Sequence, residues 1–143
     1  MARLNLLRQG RVKAFIRTPS NPILTPITFL IDTGASYTCI LPSDVIRLEI
    51  PYDELEASPF LSATALGEVQ PRLLRDIKVY LTVINGGVEQ LLILNFETMR
   101  VITPVEGYSI PPQSGAYSLL GMDVLRYFTK WSFEDEWLIL ETE

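Results

Sequence analysis

A mainly β fold with one or two short helices is what this chain predicts, on three observations. Asp76-Ile77-Lys78-Val79-Tyr80-Leu81-Thr82-Val83 alternates polar and apolar residues almost without a break, the period-two pattern of a half-buried strand. Asn85-Gly86-Gly87 follows it as a hairpin turn, because the tight turns that match strand twist need positive φ at their central positions. Helical start signals, by contrast, head only short stretches: Pro42-Ser43-Asp44 before Val45-Ile46-Arg47-Leu48, and Met122 to Thr129. At 143 residues the chain is read as a single domain, 1–143, long enough to bury a core and too short for two lobes of ordinary size.

Taken in order, Arg11-Val12-Lys13-Ala14-Phe15-Ile16-Arg17 alternates as a strand, and its basic residues, with Arg3 and Arg8, are read as a solvated face. Pro19-Ser20-Asn21-Pro22 turns the chain, and Ile23 to Ile31 returns it, interrupted at Pro26. This return strand ends in Phe29-Leu30-Ile31, a run fit for burial, and the next residue is Asp32, an acid that avoids burial. That juxtaposition marks Asp32 as a residue kept for chemistry. Thr33 supplies a hydroxyl beside it, Gly34 is expected to turn through φ > 0 and bring its N–H to the carboxylate, and Ala35 leaves room above.

Tyr37 to Leu41 reads as a further strand, in which the single cysteine, Cys39, is a small buried hydrophobe with no disulfide partner. Pro51 to Pro59 is an acidic loop, and Leu61 to Leu74 sets Gly67 between two strand-like arms. After the glycine turn, Val88 to Leu94 returns and Phe96 to Ile102 forms another strand. Val105 to Tyr117 is loop by composition, suited to substrate subsites or to partner contacts. Trp131-Ser132-Phe133 and Trp137-Leu138-Ile139-Leu140 flank Glu134-Asp135-Glu136 as a terminal hairpin, its tryptophans placed in the core or an interface.

At Asp32-Thr33-Gly34-Ala35, behind its apolar strand, the sequence resembles the aspartic proteases, whose Asp-Thr/Ser-Gly-Ala/Ser motif is placed this way. Ser118-Leu119-Leu120-Gly121-Met122-Asp123-Val124-Leu125 is similar to the second signature of that family: two apolar residues, a glycine, then a short helix. Two-lobed members carry two Asp motifs in one chain, and this chain carries one. Asp123 is followed by Val-Leu and is read instead as a helix-dipole or ion-pair residue. The resemblance is therefore to the retroviral-type, retropepsin-like branch, and it implies an acid-protease β-barrel active as a symmetric homodimer.

The resemblance also assigns roles. Asp32 is expected to be catalytic, Thr33 to brace the two facing turns and Gly34 to contact the bound peptide through its backbone. Two Asp32 carboxylates on a two-fold axis, sharing one proton, would activate the water that hydrolyses a peptide bond. Ala35 would touch substrate, and so would Ala65, Leu66 and Gly67 at the tip of a closing flap, although an ordinary hairpin with a glycine turn fits the same residues. Leu119-Leu120-Gly121 is expected beneath the catalytic turn, with Gly121 permitting close approach. Leu4 to Leu7 and Trp137 to Leu140 are the stretches expected at the dimer contact.

Composition narrows the chemistry further. With no histidine, Ser-His-Asp sites, Cys-His sites and His-ligated zinc are excluded, and no cofactor or metal is expected. A net charge of −5 gives a nucleic-acid surface no support. No stretch approaches the roughly 18 apolar residues of a membrane span, and Met1 to Gly10 lacks a signal-peptide core. The expected setting is cytoplasmic, away from membranes, with a second copy and a polypeptide substrate as partners. The alternative is an inactive domain of the same fold serving dimerisation or peptide binding, and a third reading is an unrelated small barrel with a chance motif.

Overall fold

The computed structural model describes residues 2–7, 10–64, 67–103 and 117–141. Strands β1 (Ala2–Asn5), β2 (Arg11–Thr18) and β3 (Asn21–Ile31) open the chain. β2 buries Val12, Ala14 and Ile16 and turns Lys13 and Arg17 outward, as its alternation requires. β3 pairs antiparallel with it, Val12 opposite Phe29 and Phe15 opposite Pro26. Pro26 falls on the part of β3 that borders β2 alone, the kind of position a proline tolerates.

Next come β4 (Cys39–Ile40), α1 (Pro42–Arg47), β5 (Glu56–Ala57), β6 (Ser62–Thr64) and β7 (Gly67–Val69). Pro42 opens α1 where its missing N–H costs nothing, and Val45 beneath is fully buried. The stretch expected to be plain acidic loop contains a 3-10 turn at Tyr52–Glu54 as well as β5. β5 is held against the sheet at Leu73 and Arg72, with Arg75 paired to Glu56 at 2.8 Å on the surface.

Two strands of 14 residues, β8 (Arg72–Asn85) and β9 (Val88–Val101), form the longest hairpin. It turns on Gly86 and Gly87, whose φ values of 60° and 79° suit a tight turn that other residues resist. The register is the same from Arg72 opposite Val101 to Asn85 opposite Val88, with the pairing interrupted at Asp76, whose φ is 59°. The break expected near Asn95 is absent: Asn95 pairs with Lys78 and both are exposed, so this polar residue is an outward position of one continuous strand.

β10 (Ser118–Leu120), α2 (Met122–Leu125), β11 (Lys130–Glu134) and β12 (Trp137–Glu141) complete the chain. The helix expected over Met122 to Thr129 is only the one turn of α2. Its continuation is cut short because the Thr129 N–H and hydroxyl both donate to the Glu141 carbonyl, which draws the chain into the terminal hairpin.

Strand order closes the barrel. β8, β2, β3, β10, β4 and β9 are successive neighbours, and β9 pairs back onto β8, so six strands form a ring. Inside lie Ile27, Phe29, Val79, Leu81, Val101, Leu120 and Leu125, all nearly inaccessible. Outside the ring, β1 joins β8 at Ile84–Asn85, β12 joins β1, and β11 joins β12. Leu4, Leu138 and Leu140 extend the core under this terminal sheet, and Trp131 packs against it.

Candidate active site

Sheet order dictates the local geometry around Asp32. β10 lies between β3 and β4, parallel to β3 over Phe29–Ile31 and antiparallel to β4 at Cys39. The chain leaving β3 must therefore cross the end of β10 before it can enter β4. The crossing residues are 32–38, and the residue beneath them is Gly121. An added Cβ there would stand 2.7 Å from the Tyr37 carbonyl carbon and 2.8 Å from the Ala35 oxygen, both backbone atoms that cannot swing aside. The close approach expected of Gly121 is thus a steric necessity.

The crossing loop is sewn to what lies below it. Asp32 N–H donates to Leu120 O at 3.0 Å, Met122 N–H to Ala35 O at 2.8 Å and Asp123 N–H to Ser36 O at 3.2 Å. Within the turn, Ala35 N–H donates to Asp32 O at 3.1 Å, and Gly34 N–H donates to the Asp32 Oδ1 at 2.9 Å. That last bond is the only one the Asp32 carboxylate makes among the described residues. Asp32 and Ala35 are half-buried, whereas Thr33 and Gly34 are exposed.

Gly34 differs from expectation in its reason for being glycine. Its φ is not positive; among the described residues those with positive φ are Gly10, Gly86, Gly87 and three others elsewhere. Instead, a Cβ at Gly34 would sit 3.2 Å from Asp32 Oδ1, so the absence of a side chain keeps space open beside the carboxylate. Among the described residues the Thr33 hydroxyl has no hydrogen-bond partner.

Asp123 stands in the first turn of α2, as expected of a carboxylate suited to the helix dipole, but its main partners lie elsewhere. No cation pairs with it among the described residues, and it does not cap α2, whose N-cap is Gly121 without a side-chain bond. Its carboxylate receives the Thr38 N–H at 3.0 Å, the Thr38 hydroxyl at 2.7 Å and the Val124 N–H at 2.9 Å. Thr38 is buried, and its Oγ1 in turn accepts the Gly121 N–H at 3.1 Å. One carboxylate therefore clamps the far end of the crossing loop onto the glycine it passes over.

A second buried network escaped sequence reasoning. Ser118 Oγ, fully buried, donates to Asp44 Oδ2 at 2.7 Å and accepts the Leu41 N–H at 3.0 Å. It ties α1 and the exit of β4 to β10. The one available signal was a serine heading an apolar strand, too common to single out. Arg11, read as solvated, instead hydrogen-bonds the Tyr117 hydroxyl and lies over its ring, pinning the start of β2 to the approach of β10.

Beside the turn lies a cleft of about 220 Å³, walled by Tyr37, Thr38 and Asp123 on one side and by Ser58, Pro59 and Phe60 on the other. Arg100 stacks over the Tyr37 ring at 3.9 Å from its centroid, a cation–π contact that orients the aromatic at the rim. Behind it, burial pushes the Cys39 thiol up to about 12 against the opposing pull of Arg100 and a backbone bond at Ile102, so the thiol stays protonated and inert.

Past Phe60, β6 and β7 form a two-stranded hairpin that pairs with no other strand among the described residues. Its stem is clamped where Ser58 N–H donates to Pro71 O at 2.8 Å and Gln70 Nε2 donates to Ser58 O at 3.2 Å. Gly67 opens β7 opposite Thr64; Ala65 and Leu66, the rest of the expected tip, lie outside the described residues. Among the described residues no group of three or more Cys, Asp or Glu is arranged to hold a metal.

A closed six-stranded barrel, whose crossing loop lifts one Asp-Thr-Gly turn over a Leu-Leu-Gly strand, is the fold of the retropepsin-like aspartic proteases. A family model described as "gag-polyprotein putative aspartyl protease" matches residues 24–127, more than half of the chain, and the chain belongs to that family. Among solved structures, the fold is similar to a retropepsin-like aspartic protease from Rickettsia conorii at a TM-score of 0.57 and 22% identity, covering 99% of this chain and 92% of that one. EIAV protease in complex with the inhibitor HBY-793 matches at a TM-score of 0.44 and 17% identity, over 85% of this chain and 89% of that one. The search of curated proteins found no match.

Proposed function

We propose that this protein is an aspartic endopeptidase that becomes active when two copies bring their Asp32 residues together. The observation that carries the reading is the Asp32 carboxylate itself. It is half-exposed on a loop braced from beneath at Leu120, Met122 and Asp123, and one oxygen is oriented by Gly34 N–H. A rigid support under an accessible acid is what general acid–base chemistry needs.

One carboxylate is half of the chemistry. Hydrolysis of an amide requires a base that takes a proton from water as its oxygen attacks the carbonyl carbon, and acids that protonate the carbonyl oxygen and then the leaving nitrogen. Two carboxylates holding one proton between them supply both: the protonated one gives its proton to the carbonyl oxygen, the other passes the proton taken from water to the nitrogen as the C–N bond breaks, and a hydroxyl of the tetrahedral intermediate returns its proton to the dyad as the carboxylic acid product forms. Since the chain has a single Asp-Thr-Gly, a second copy provides the other acid. In that arrangement the exposed Thr33 hydroxyl braces one turn against its counterpart.

An extended peptide would pair with backbone of the β6–β7 hairpin above the turn, with the cleft between Tyr37 and Phe60 accepting one of its side chains. The test is incubation of purified protein with an unfolded protein substrate from mildly acid to neutral pH, with and without a statine-type inhibitor. Inhibitor-sensitive cleavage that vanishes in Asp32→Asn, while circular dichroism stays unchanged, supports the reading. Cleavage retained by that variant overturns it, and peptide binding without cleavage points to a module that keeps the fold alone.

A further inference from the structure

We propose that the outer face of β2 and β8 docks an acidic, extended polypeptide segment, with a carboxylate seated between Arg17 and Lys78 and an apolar side chain over the neighbouring Phe15 and Tyr80. Arg17 of β2 stands directly opposite Lys78 of β8, and both are exposed. Like charges facing each other across two strands weaken the sheet that holds them, and a chain of net charge −5 has more acids than bases with which to relieve them. Yet the one ion pair among the described residues joins Arg75 to Glu56, so no carboxylate there reaches Arg17 or Lys78. An anion placed between the two cations completes an arrangement that the folded chain leaves electrostatically unfinished.

Beside that pair runs an apolar row. Phe15 faces Tyr80 across β2 and β8, Pro26 faces Phe15 from β3, and Ile93 faces Tyr80 from β9. All four stand on the outward side of their strands, because Ala14, Ile16, Ile27, Val79 and Leu94 next to them are buried. The row therefore crosses four adjacent strands, about 14 Å at the usual strand spacing. Ile93 is 47% exposed and Leu91 on the same strand 64%, apolar area that a partner would cover. On the flank away from Arg17, Lys13 lies over the Phe15 ring, 5.6 Å from its centroid, so the row has cations on both sides.

The outline of the patch selects the class of partner. Glu89 and Glu97 are exposed on β9 to either side of Ile93, so the cationic and apolar zone is narrow and bounded by acid. An anionic bilayer would press on those glutamates, and Phe15 and Tyr80 are half-buried in the sheet instead of raised to enter lipid. Nucleic acid, with phosphates along its whole length, meets the same repulsion. A single extended stretch of protein covers the favourable zone alone: alternate side chains face the row, and acids beside them reach Arg17 and Lys78 on one flank and Lys13 on the other. The face is also separate from the catalytic turn, since Pro26 precedes Asp32 by six residues, about 20 Å of strand.

Binding and stability, measured together, test this. Fluorescence anisotropy on the full chain carrying Asp32→Asn follows a labelled peptide of about ten residues, long enough to span the row, in which glutamate alternates with leucine. That peptide is expected to bind, more weakly as salt rises, and its counterpart with lysine in place of glutamate is expected not to. Adding Arg17→Glu or Lys78→Glu should weaken binding on the order of tenfold, and Ile93→Ser should weaken it less. Lys130→Glu, at an exposed cation on β11, should change nothing. Arg17→Glu and Lys78→Glu should at the same time raise the urea midpoint, because each turns a like-charge pair into an opposite one. Binding lost while stability is gained is a result that simple unfolding cannot produce. A glutamate peptide that fails to bind, a lysine peptide that binds as well, Arg17 and Lys78 variants that bind like their parent, or a midpoint that falls in both would each overturn the inference. So would capture by phosphatidylserine vesicles without binding of the peptide. Because binding is read without cleavage, a protein that binds the probe and never cleaves defeats the protease reading alone, and one that cleaves without charge-dependent binding defeats this face alone.

Discussion

Two aspartates stand at the two motif positions of this chain, and the molecule treats them in opposite ways. At the near end of the crossing loop, Asp32 is half-exposed, takes one hydrogen bond from Gly34 and faces open space. At the far end, Asp123 takes the N–H and hydroxyl of buried Thr38, and through that hydroxyl it is linked to Gly121. The contrast teaches a division of labour: beside the backbone bonds that stitch the loop down, a second acid, facing the same loop, is occupied in holding the accessible one still. Residue type alone does not separate the two. What separates them is how many donors the surrounding backbone aims at each.

The comparison can be broken most forcefully at Asp32. Asp32→Asn is expected to lower cleavage by about 10³-fold or more while leaving the urea midpoint near its wild-type value, since the carboxylate contributes one exposed hydrogen bond to the fold. A large loss of stability in that variant would mean that Asp32, too, is structural. Gly121→Ala attacks the support. Its Cβ meets backbone at 2.7 to 2.8 Å on three atoms, and a cost of about 3 kcal/mol is expected in chemical denaturation, with activity lost even in the folded fraction.

Asp123→Ala sharpens the contrast from the other side. It strips buried Thr38 of the acceptor for both its N–H and its hydroxyl and is expected to cost about 2 kcal/mol, whereas Asp123→Asn, which keeps one acceptor oxygen, should cost less than half of that. Activity in these variants should fall together with stability, unlike the pattern at Asp32. At neutral pH the smallest effect belongs to Cys39, on β4 just past the loop. Unfolded, its thiol ionises near 9.0; folded, burial holds the proton to about 12. Its contribution is therefore complete below pH 9 and is lost as pH rises toward 12, because the unfolded chain releases the proton first. Cys39→Ala should flatten the alkaline limb of a stability–pH curve measured by denaturant melts, and an unchanged limb would show that the thiol is not shielded.

Much of this was legible in the chain because it follows local rules. The β2–β3 hairpin, the Gly86-Gly87 turn, the terminal hairpin and the start of α1 at Pro42 each depend on residues within a few positions of one another. That the acid at the end of an apolar strand leaves the core was legible for a similar reason, since a carboxylate resists burial. The roles of Asp123, Ser118 and Asp44 were not. Their partners lie 85, 77 and 74 residues away, and nothing at their own positions distinguishes an acid that clamps from one that is merely solvated. Gly34 shows a subtler limit: glycine was rightly expected there, but for handedness, whereas the fold uses it for the 3.2 Å of room beside a carboxylate.

The sequence by itself determined where strands run, where they turn and which acid is delivered to solvent, because period-two burial and turn stereochemistry act over short stretches and survive whatever the rest of the chain does. Only the tertiary structure decided that β10 would slip between β3 and β4, that the loop above would be stitched to it, and that β11 rather than β1 or β12 would end its sheet. Those outcomes depend on closing a ring of six strands, in which each backbone edge is either used or left open according to all the others. Edge pairing is a property of the assembled sheet and is written in no single strand.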